Sequence, residues 1–353
     1  MKFIRLSGSP WEIGEQLGAA GREAWHAIIV HTPLWQAVVA QQDGAKLIAL
    51  AQRVQHHFPD IWQELQGLAS GLAAPFNEVF AWNCRGDLLP STSDGCTSLA
   101  SRGTDGTLLL AHNEDGLPEL YASSFLVDVT PLSGVGFMSF AYPGSLCGHT
   151  FSVNHRGIVN IVNNIRAQDR PDGLPRQVLA RAALSAKNLE SAIALLSEEP
   201  RCGAFHHTLA QAGDPRIISL EATGQQTSIL EISDRFGHAN HLIHTPLTDS
   251  AQKITVSSAA RQIRIDQQLS ALQPLCAGRL LALLSDQHDE QLPIYRQSAD
   301  DPDQENTLAT VIFTLSPENV SWEVYRMDRV QPENKGILST GNRYENAVPD
   351  QVT

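Results

Sequence analysis

The apolar residues of this chain change their spacing abruptly near residue 95, and that change limits what it can fold into. Before it they recur at helical intervals. Ser9, Pro10, Trp11 and Glu12 read as a capping box with proline at the first helical position, followed by Trp11, Ile13, Leu17, Ala20, Ala24, Trp25 and Ile28 at roughly helical spacing. A second helical stretch covers 45–72, with Leu47, Ile48, Ala51, Val54, Ile61, Leu65 and Leu68 as a stripe interrupted by Pro59. After Cys96 the pattern turns to short runs rich in β-branched and aromatic residues, bounded by Gly, Pro, Asp or Asn: 107–111, 125–130, 135–141, 157–162, 216–221, 228–232, 310–315 and 320–325. Two helical patterns lie among them, one over 176–196 with Asn188 as an internal cap, the other over 258–284 with Pro274 as an interruption. A helical N-terminal segment followed by many strands predicts a layered α+β domain in which two sheets pack beneath helices.

The 353 residues carry a formal net charge of −13 and no cluster of Lys and Arg, which argues against a nucleic-acid partner. An acidic surface of this kind serves solubility, with a slight preference for neutral or cationic small molecules. No run of eighteen apolar residues and no signal-peptide core occurs, so neither a membrane span nor export is expected and a cytoplasmic location is. Five cysteines, scattered and never in Cys-x-x-Cys spacing, indicate neither a disulfide framework nor a zinc site. Four of them (Cys84, Cys147, Cys202 and Cys276) read as small buried apolar side chains.

Cys96 is different because of its flanks. Gly95 before it leaves the preceding peptide unhindered, Thr97 and Ser98 follow with hydroxyls, and His112, Asn113, Glu114 and Asp115 come soon after. A thiol nucleophile needs a base. If the Gly95–Cys96 bond were cut, Cys96 would carry both a thiol and an α-amine, which titrate near ~8.5 and ~8 in model compounds. His112, His206, His207, His241 and His244 form no His-x-x-x-His pair with a supporting carboxylate on a helical pattern, so no metal site and no cofactor is expected.

The segments 94–98 and 111–115 resemble those of the acyl-coenzyme A:6-aminopenicillanic acid acyltransferase family, peptidase family C45 of the N-terminal nucleophile (Ntn) hydrolases. The resemblance extends through Gly8 to Gly18, through Tyr142-Pro143-Gly144 with Val153 to Ile158, through His238-Ala239-Asn240-His241, through Ser257 to Arg264, and through Leu283 to His288. Ala239 stands where the family usually has Thr, and one residue is inserted among Asp286, Gln287 and His288. The resemblance implies a four-layered αββα sandwich that is autoprocessed between Gly95 and Cys96, giving a small chain (1–95) and a large chain (96–353) that stay associated. It implies Cys96 as nucleophile with its own α-amine as base, Asp115 holding that amine, Asn240 facing the oxyanion and Arg261 setting the local electrostatics. Asn163 or Asn164 would supplement the oxyanion donor, with His112 and Asn113 as further oxyanion or substrate contacts. The expected activity is hydrolysis of a small N-acyl or amino-acyl amide through a thioester, with acyl transfer to an amine such as a β-lactam nucleus as the alternative. A non-catalytic, uncleaved binding protein is the rival from another class. Oligomeric state is open, a homo-oligomer included.

Overall fold

The computed structural model describes residues 1–90, 95–103, 105–198, 200–271, 275–297 and 304–340, and the backbone of 344–345. Asp94 and Pro274, used in the sequence reading, lie outside the described residues. Strand β1 (Phe3–Gly8) leads into α1 (Pro10–Ala27), α2 (Pro33–Val39), α3 (Ala45–His57), α4 (Pro59–Leu72), α5 (Phe76–Asn83) and α6 (Arg85–Leu88). Helix α1 starts at the expected capping box: Glu12 N donates to Ser9 Oγ, and Ser9 N donates to the Glu12 carboxylate at 2.7 Å. Pro59 opens α4, where its missing N–H costs nothing. Helices α1 and α4 cross with their backbones in contact. A Cβ on Gly67 would lie 1.9 Å from the Trp11 carbonyl oxygen, and one on Gly14 1.9 Å from that of Glu64. Only glycine permits that approach.

The remaining elements are β2 (Gly95–Arg102), β3 (Leu108–Gly116), β4 (Phe125–Pro131), β5 (Phe137–Ala141), β6 (Phe151–Asn154), β7 (Ile158–Ile165), α7 (Arg176–Ala183), α8 (Leu189–Leu196), β8 (Ala204–Gln211), β9 (Ile217–Ala222), β10 (Thr227–Glu231) and β11 (Arg235–His238). They are followed by α9 (Val256–Ala271), α10 (Ala277–Leu284), β12 (Asn306–Leu315), β13 (Asn319–Tyr325), β14 (Asn334–Ser339) and β15 (Tyr344–Glu345). One sheet runs β1-β4-β5-β6-β7-β8-β9-β10, the other β11-β2-β3-β12-β13-β14-β15, and the β1–β4 pairing is parallel among antiparallel neighbours. The 176–196 helix of the sequence reading is two helices, because Asn188 caps the second one and accepts from Ser191 N at 2.9 Å. Strands β1, β2, β6, β8, β11, β14 and β15 were not anticipated; β8 carries the buried polar run His206, His207 and Thr208, which does not read as apolar.

Alternation along the strands sorts the core. Leu99, Leu109 and Ala111 pack with Ile265, Leu280 and Leu284 of α9 and α10 on one face of the second sheet. Ala100, Leu108 and Leu110 point the other way into the main core, which holds Phe140, Phe151, Trp25 and Leu68. Helix α8 covers Ile158, Leu209 and Leu220 of the first sheet. The result is an α+β fold of mixed helical and sheet layers. Among the described residues no helix is long and apolar enough to cross a membrane. Cys84, Cys147 and Cys202 are buried as expected, but Cys276 is exposed because it sits at the N-terminal cap of α10.

Candidate active site

The site is set by how β2 and β3 pair. Gly95 lies opposite Asp115, Cys96 opposite Glu114, Thr97 opposite Asn113 and Ser98 opposite His112. Side chains alternate between the faces of a sheet, so Cys96, Ser98, His112 and Glu114 share the face turned to the first sheet. Gly95, Thr97, Asn113 and Asp115 share the face under α9 and α10. Asn113 spans that layer, donating from Nδ2 to the Leu284 carbonyl at 2.8 Å and accepting from Thr310 Oγ1 at 2.6 Å. Its contacts are thus away from the thiol.

The backbone of Cys96 is gripped from both sides. Its N–H donates to Asn240 Oδ1 at 2.9 Å, and its carbonyl accepts from Arg261 Nη1. Arg261, fully buried on α9, also donates to Asn240 Oδ1 at 2.7 Å, to Thr97 Oγ1 at 3.0 Å and from Nε to Ser257 Oγ at 3.2 Å. Burial lowers its pKa and the Arg296 charge adds to this, while Asp115, Glu305 and Cys96 oppose it. Asn240 follows β11, whose pairing with β2 delivers it. Its Nδ2 donates to the Asn164 carbonyl at 3.0 Å and its N–H to Ser258 Oγ at 2.9 Å. Two donors on Oδ1 and a carbonyl on Nδ2 leave no doubt about the orientation of this amide.

On the Gly95 face lies a buried charge network that sequence reasoning missed. Asp115 accepts from Thr307 Oγ1 at 2.7 Å and faces Arg296 Nη1 at 3.6 Å. Arg296 pairs with Glu305 at 2.7 Å, and Arg166 reaches the same carboxylate at 3.2 Å. A Cβ on Gly95 would stand 2.2 Å from Glu305 Oε2 and 2.7 Å from Arg296 Nη1. Glycine is therefore required there by packing. Arg166, Arg296, Glu305 and Thr307 belong to no motif, and only the chain's return beside β3 brings the last three to the site.

On the thiol face, Cys96 Sγ lies 3.8 Å from Glu114 Oε2. Tyr142 donates to Glu114 Oε1 at 2.7 Å, and His112 Nε2 is 3.0 Å from Oε2. His112 Nδ1 meets Ser98 Oγ at 2.9 Å, and Ser98 Oγ donates to Asn163 Oδ1 at 2.6 Å. Asn163 in turn donates from Nδ2 to the His238 carbonyl at 3.1 Å and meets His206 Nδ1 at 3.0 Å. Asn163 thus lies in a polar chain behind the thiol, whereas Asn164 supplies the carbonyl that holds Asn240. His206 stacks on His238 with ring centroids 3.6 Å apart, and His244 joins the chain through Ser219. His241 bonds Ser258 and His207 bonds Asn160. Burial pushes the His112 and His207 imidazoles down to about 3 and His206 well below the ordinary range. Sγ, a His112 ring nitrogen and a Glu114 oxygen are close enough together to suit a metal ion, but the 3.0 Å between His112 and Glu114 is already a hydrogen-bond distance. Glu114 and Tyr142 were missed as site residues, although strict alternation along 112–115 would have put Glu114 with His112.

A narrow cavity opens at Cys96 and Glu114, walled by Arg85, His149, Asn164, Arg176, Gln177 and Phe205. Arg176 lies 4.3 Å over the Phe205 ring and Arg85 5.1 Å over that of Trp82, so the cavity wall is more cationic than the acidic surface. A buried thiol, aligned amides and fixed cations at one end of the β2–β3 pair are the means for acyl chemistry.

Comparison with known proteins agrees with that chemistry. Beta-alanyl-dopamine/carcinine hydrolase of Drosophila melanogaster is 26% identical over 217 residues, covering 54% of this chain and 56% of that protein. The chain thus matches a little over half the length of this curated relative. The family described as acyl-coenzyme A:6-aminopenicillanic acid acyl-transferase matches residues 101–326, well over half of the sequence. On that match the chain belongs to the acyl-coenzyme A:6-aminopenicillanic acid acyl-transferase family.

Proposed function

We propose that the protein is an autoprocessed N-terminal-cysteine enzyme of four-layered αββα architecture that moves a small acyl group between an amine and Cys96. In this reading the Cys96 thiol attacks the Gly95 carbonyl, and the Gly95–Cys96 C–N bond breaks to give a thioester and a free α-amine. Water hydrolyses the thioester to the Gly95 carboxylate and the Cys96 thiol, and the α-amine becomes the general base. The observation that carries it is the grip on Cys96: Asn240 at its nitrogen, Arg261 at its carbonyl, and a packed ion pair against Gly95. Such a site fixes one peptide bond and its neighbours without leaving room for movement.

In the mature enzyme, Asn240 Oδ1 orients the α-amine, and the Asp115 carboxylate supplies the negative charge that favours its ammonium form. Asn240 Nδ2 has a second hydrogen besides the one held by the Asn164 carbonyl, and that donor is assigned to the oxyanion. The α-ammonium then protonates the leaving amine, and an amine or water takes the acyl group from sulphur. The family description speaks for an amine acceptor ahead of the hydrolysis that sequence reading placed first, while the relative's name supports hydrolysis of an amide. The two chains would stay together through the β1–β4 pairing and the buried Glu64–Arg181 ion pair at 2.8 Å.

The test is direct. Denaturing electrophoresis should give two bands, with Cys96 as a new N-terminus. Mass spectrometry with a panel of N-acyl amides should give acyl-Cys96, and added amines should divert that adduct from acid to amide product. A single full-length band that persists, or processing that survives Cys96→Ala, would overturn the reading.

A further inference from the structure

We propose that Glu221 is a positioning residue for Asn240: its carboxylate, ion-paired to a His238 imidazolium, closes the segment 238–244 on which Asn240 stands. After β11 the chain is irregular as far as His244, and side chains take up its main-chain N–H groups. Ala239 N donates to Gln262 Oε1 at 2.8 Å, Asn240 N to Ser258 Oγ at 2.9 Å and Leu242 N to Gln252 Oε1 at 2.8 Å. Those acceptors lie on α9 or shortly before it. The far end is held from the first sheet instead. Ile243 N donates to Glu221 Oε1 at 2.7 Å, and His244 N to Glu221 Oε2 at 3.2 Å. Glu221 also meets His238 Nε2 at 2.9 Å, so one β9 side chain grips the segment on both sides of Asn240.

Donors and acceptors set the charges of that grip. Main-chain N–H groups only donate, so both Glu221 oxygens accept hydrogen bonds, which favours the ionised carboxyl. His238 Nδ1 lies 2.8 Å from the Ala239 carbonyl, which only accepts, so Nδ1 carries a hydrogen. Nε2 then needs a second hydrogen to meet the carboxylate, and His238 is an imidazolium. Both side chains are fully buried, where a charge persists only when paired. The titratable groups facing the pair are His206 from β8 and His241 and His244 of the segment itself, with Arg261 of α9 acting on His241. His206 lies opposite Glu221 in register and stacks on His238 with centroids 3.6 Å apart. Burial and the His238 charge hold His206 well below its ordinary range, and burial lowers His241 to about 4 and His244 likewise. The cation beside Glu221 is therefore His238. Burial raises the Glu221 carboxyl, but His238, His244 and the Ile243 N–H bring it below the ordinary carboxylate value.

The consequence for catalysis rests on the oxyanion role proposed for Asn240. A catalytic group misplaced by about 1 Å costs on the order of 10²-fold in rate. Both Glu221 oxygens face donors, so in Glu221→Gln the amide must turn its NH2 towards one of them, and the segment shifts.

In 15N spectra of the wild-type protein at neutral pH, His238 should show both ring nitrogens protonated. E221Q should shift or broaden the Asn240 side-chain amide signal and lower kcat by about 10²-fold, with KM within about threefold. In an Asn240→Ala background the same change should cost less than about threefold, because the group it positions is gone. A neutral His238, an Asn240 signal unmoved in E221Q, or an equal loss of kcat in the Asn240→Ala background would overturn the proposal. Should E221Q fail to fold, Glu221→Asp, which keeps the charge and draws it back by one methylene, is read in the same way. The spectra need no turnover. An inactive protein with the expected signals refutes the proposed reaction and leaves Glu221 in its role, whereas an active protein with an unmoved Asn240 signal does the reverse.

Discussion

Replacing Gly95 by alanine tests whether glycine is demanded by the packed ion pair, independently of any catalytic role. The added Cβ would sit 2.2 Å from Glu305 Oε2, and ordinary contact begins near 3.4 Å, so the carboxylate must retreat by about 1.2 Å. That movement stretches its 2.7 Å bond to Arg296 beyond hydrogen-bonding range and disturbs the 3.2 Å contact with Arg166. Hydrogen bonds to charged groups contribute about 1.5–3 kcal/mol each. Breaking a buried pair costs about 3–5 kcal/mol, because the separated charges stay out of water. A loss of roughly 3–5 kcal/mol is therefore expected. The comparison belongs in a Cys96→Ala background, where the proposed processing cannot occur: urea unfolding of Cys96→Ala against the same chain carrying Gly95→Ala. Glu305→Ala should make the Gly95→Ala change markedly cheaper, a non-additivity that contact requires. A Gly95→Ala cost below about 0.5 kcal/mol, the range of a surface substitution, would refute the packing argument.

Cys96→Ala should run as one chain on a denaturing gel and form no acyl adduct with any amide substrate. Asp115→Asn should fold while losing turnover by about 10²-fold or more, since an amide cannot balance an ammonium or Arg296; undiminished activity would remove Asp115 from the site. Asn240→Ala removes the partner of both Cys96 N and Arg261 and should lower kcat by about 10²–10³-fold, as loss of an oxyanion donor does. Acid should destabilise the fold. Burial lowers the pKa of His112 and His207 to about 3 and that of His206 further, so their contribution is full above the unfolded value of 6.5 and is lost as pH falls below it. Asp87, raised by burial to about 6, works the other way and costs stability as pH rises from 3.8 to about 6. His241, lowered by burial to about 4, and His244, lowered likewise, act with the other three histidines, so the histidines outweigh Asp87 and stability should rise with pH near pH 5, more steeply in Asp87→Asn; a flat urea midpoint between pH 5 and 7 would contradict this.

Much of the local structure was legible because it depends on neighbours in sequence. The Ser9 capping box, the start of α4 at Pro59 and the change from helices to strands near residue 95 need only short-range sterics and periodicity. A strand was missed where burial overrode composition: β8 is polar in sequence but lies in the interior because His206 and His207 find hydrogen-bond partners there. Strand β1, with Phe3, Ile4 and Leu6 just ahead of the α1 capping box, takes its place from pairing with β4.

The sequence by itself determined the change from a helical N-terminal part to a strand-rich remainder, the family, and Cys96 beside Gly95 as the centre of interest. Tertiary structure alone decided what surrounds that pair. The β2–β3 register puts Glu114 and His112 with the thiol and Asp115 on the opposite face, and the return of the chain beside β3 sets Arg296 and Glu305 against Gly95. Local preference is fixed by adjacent residues, whereas the charge and room around a buried atom are set by whichever distant segments pack against it.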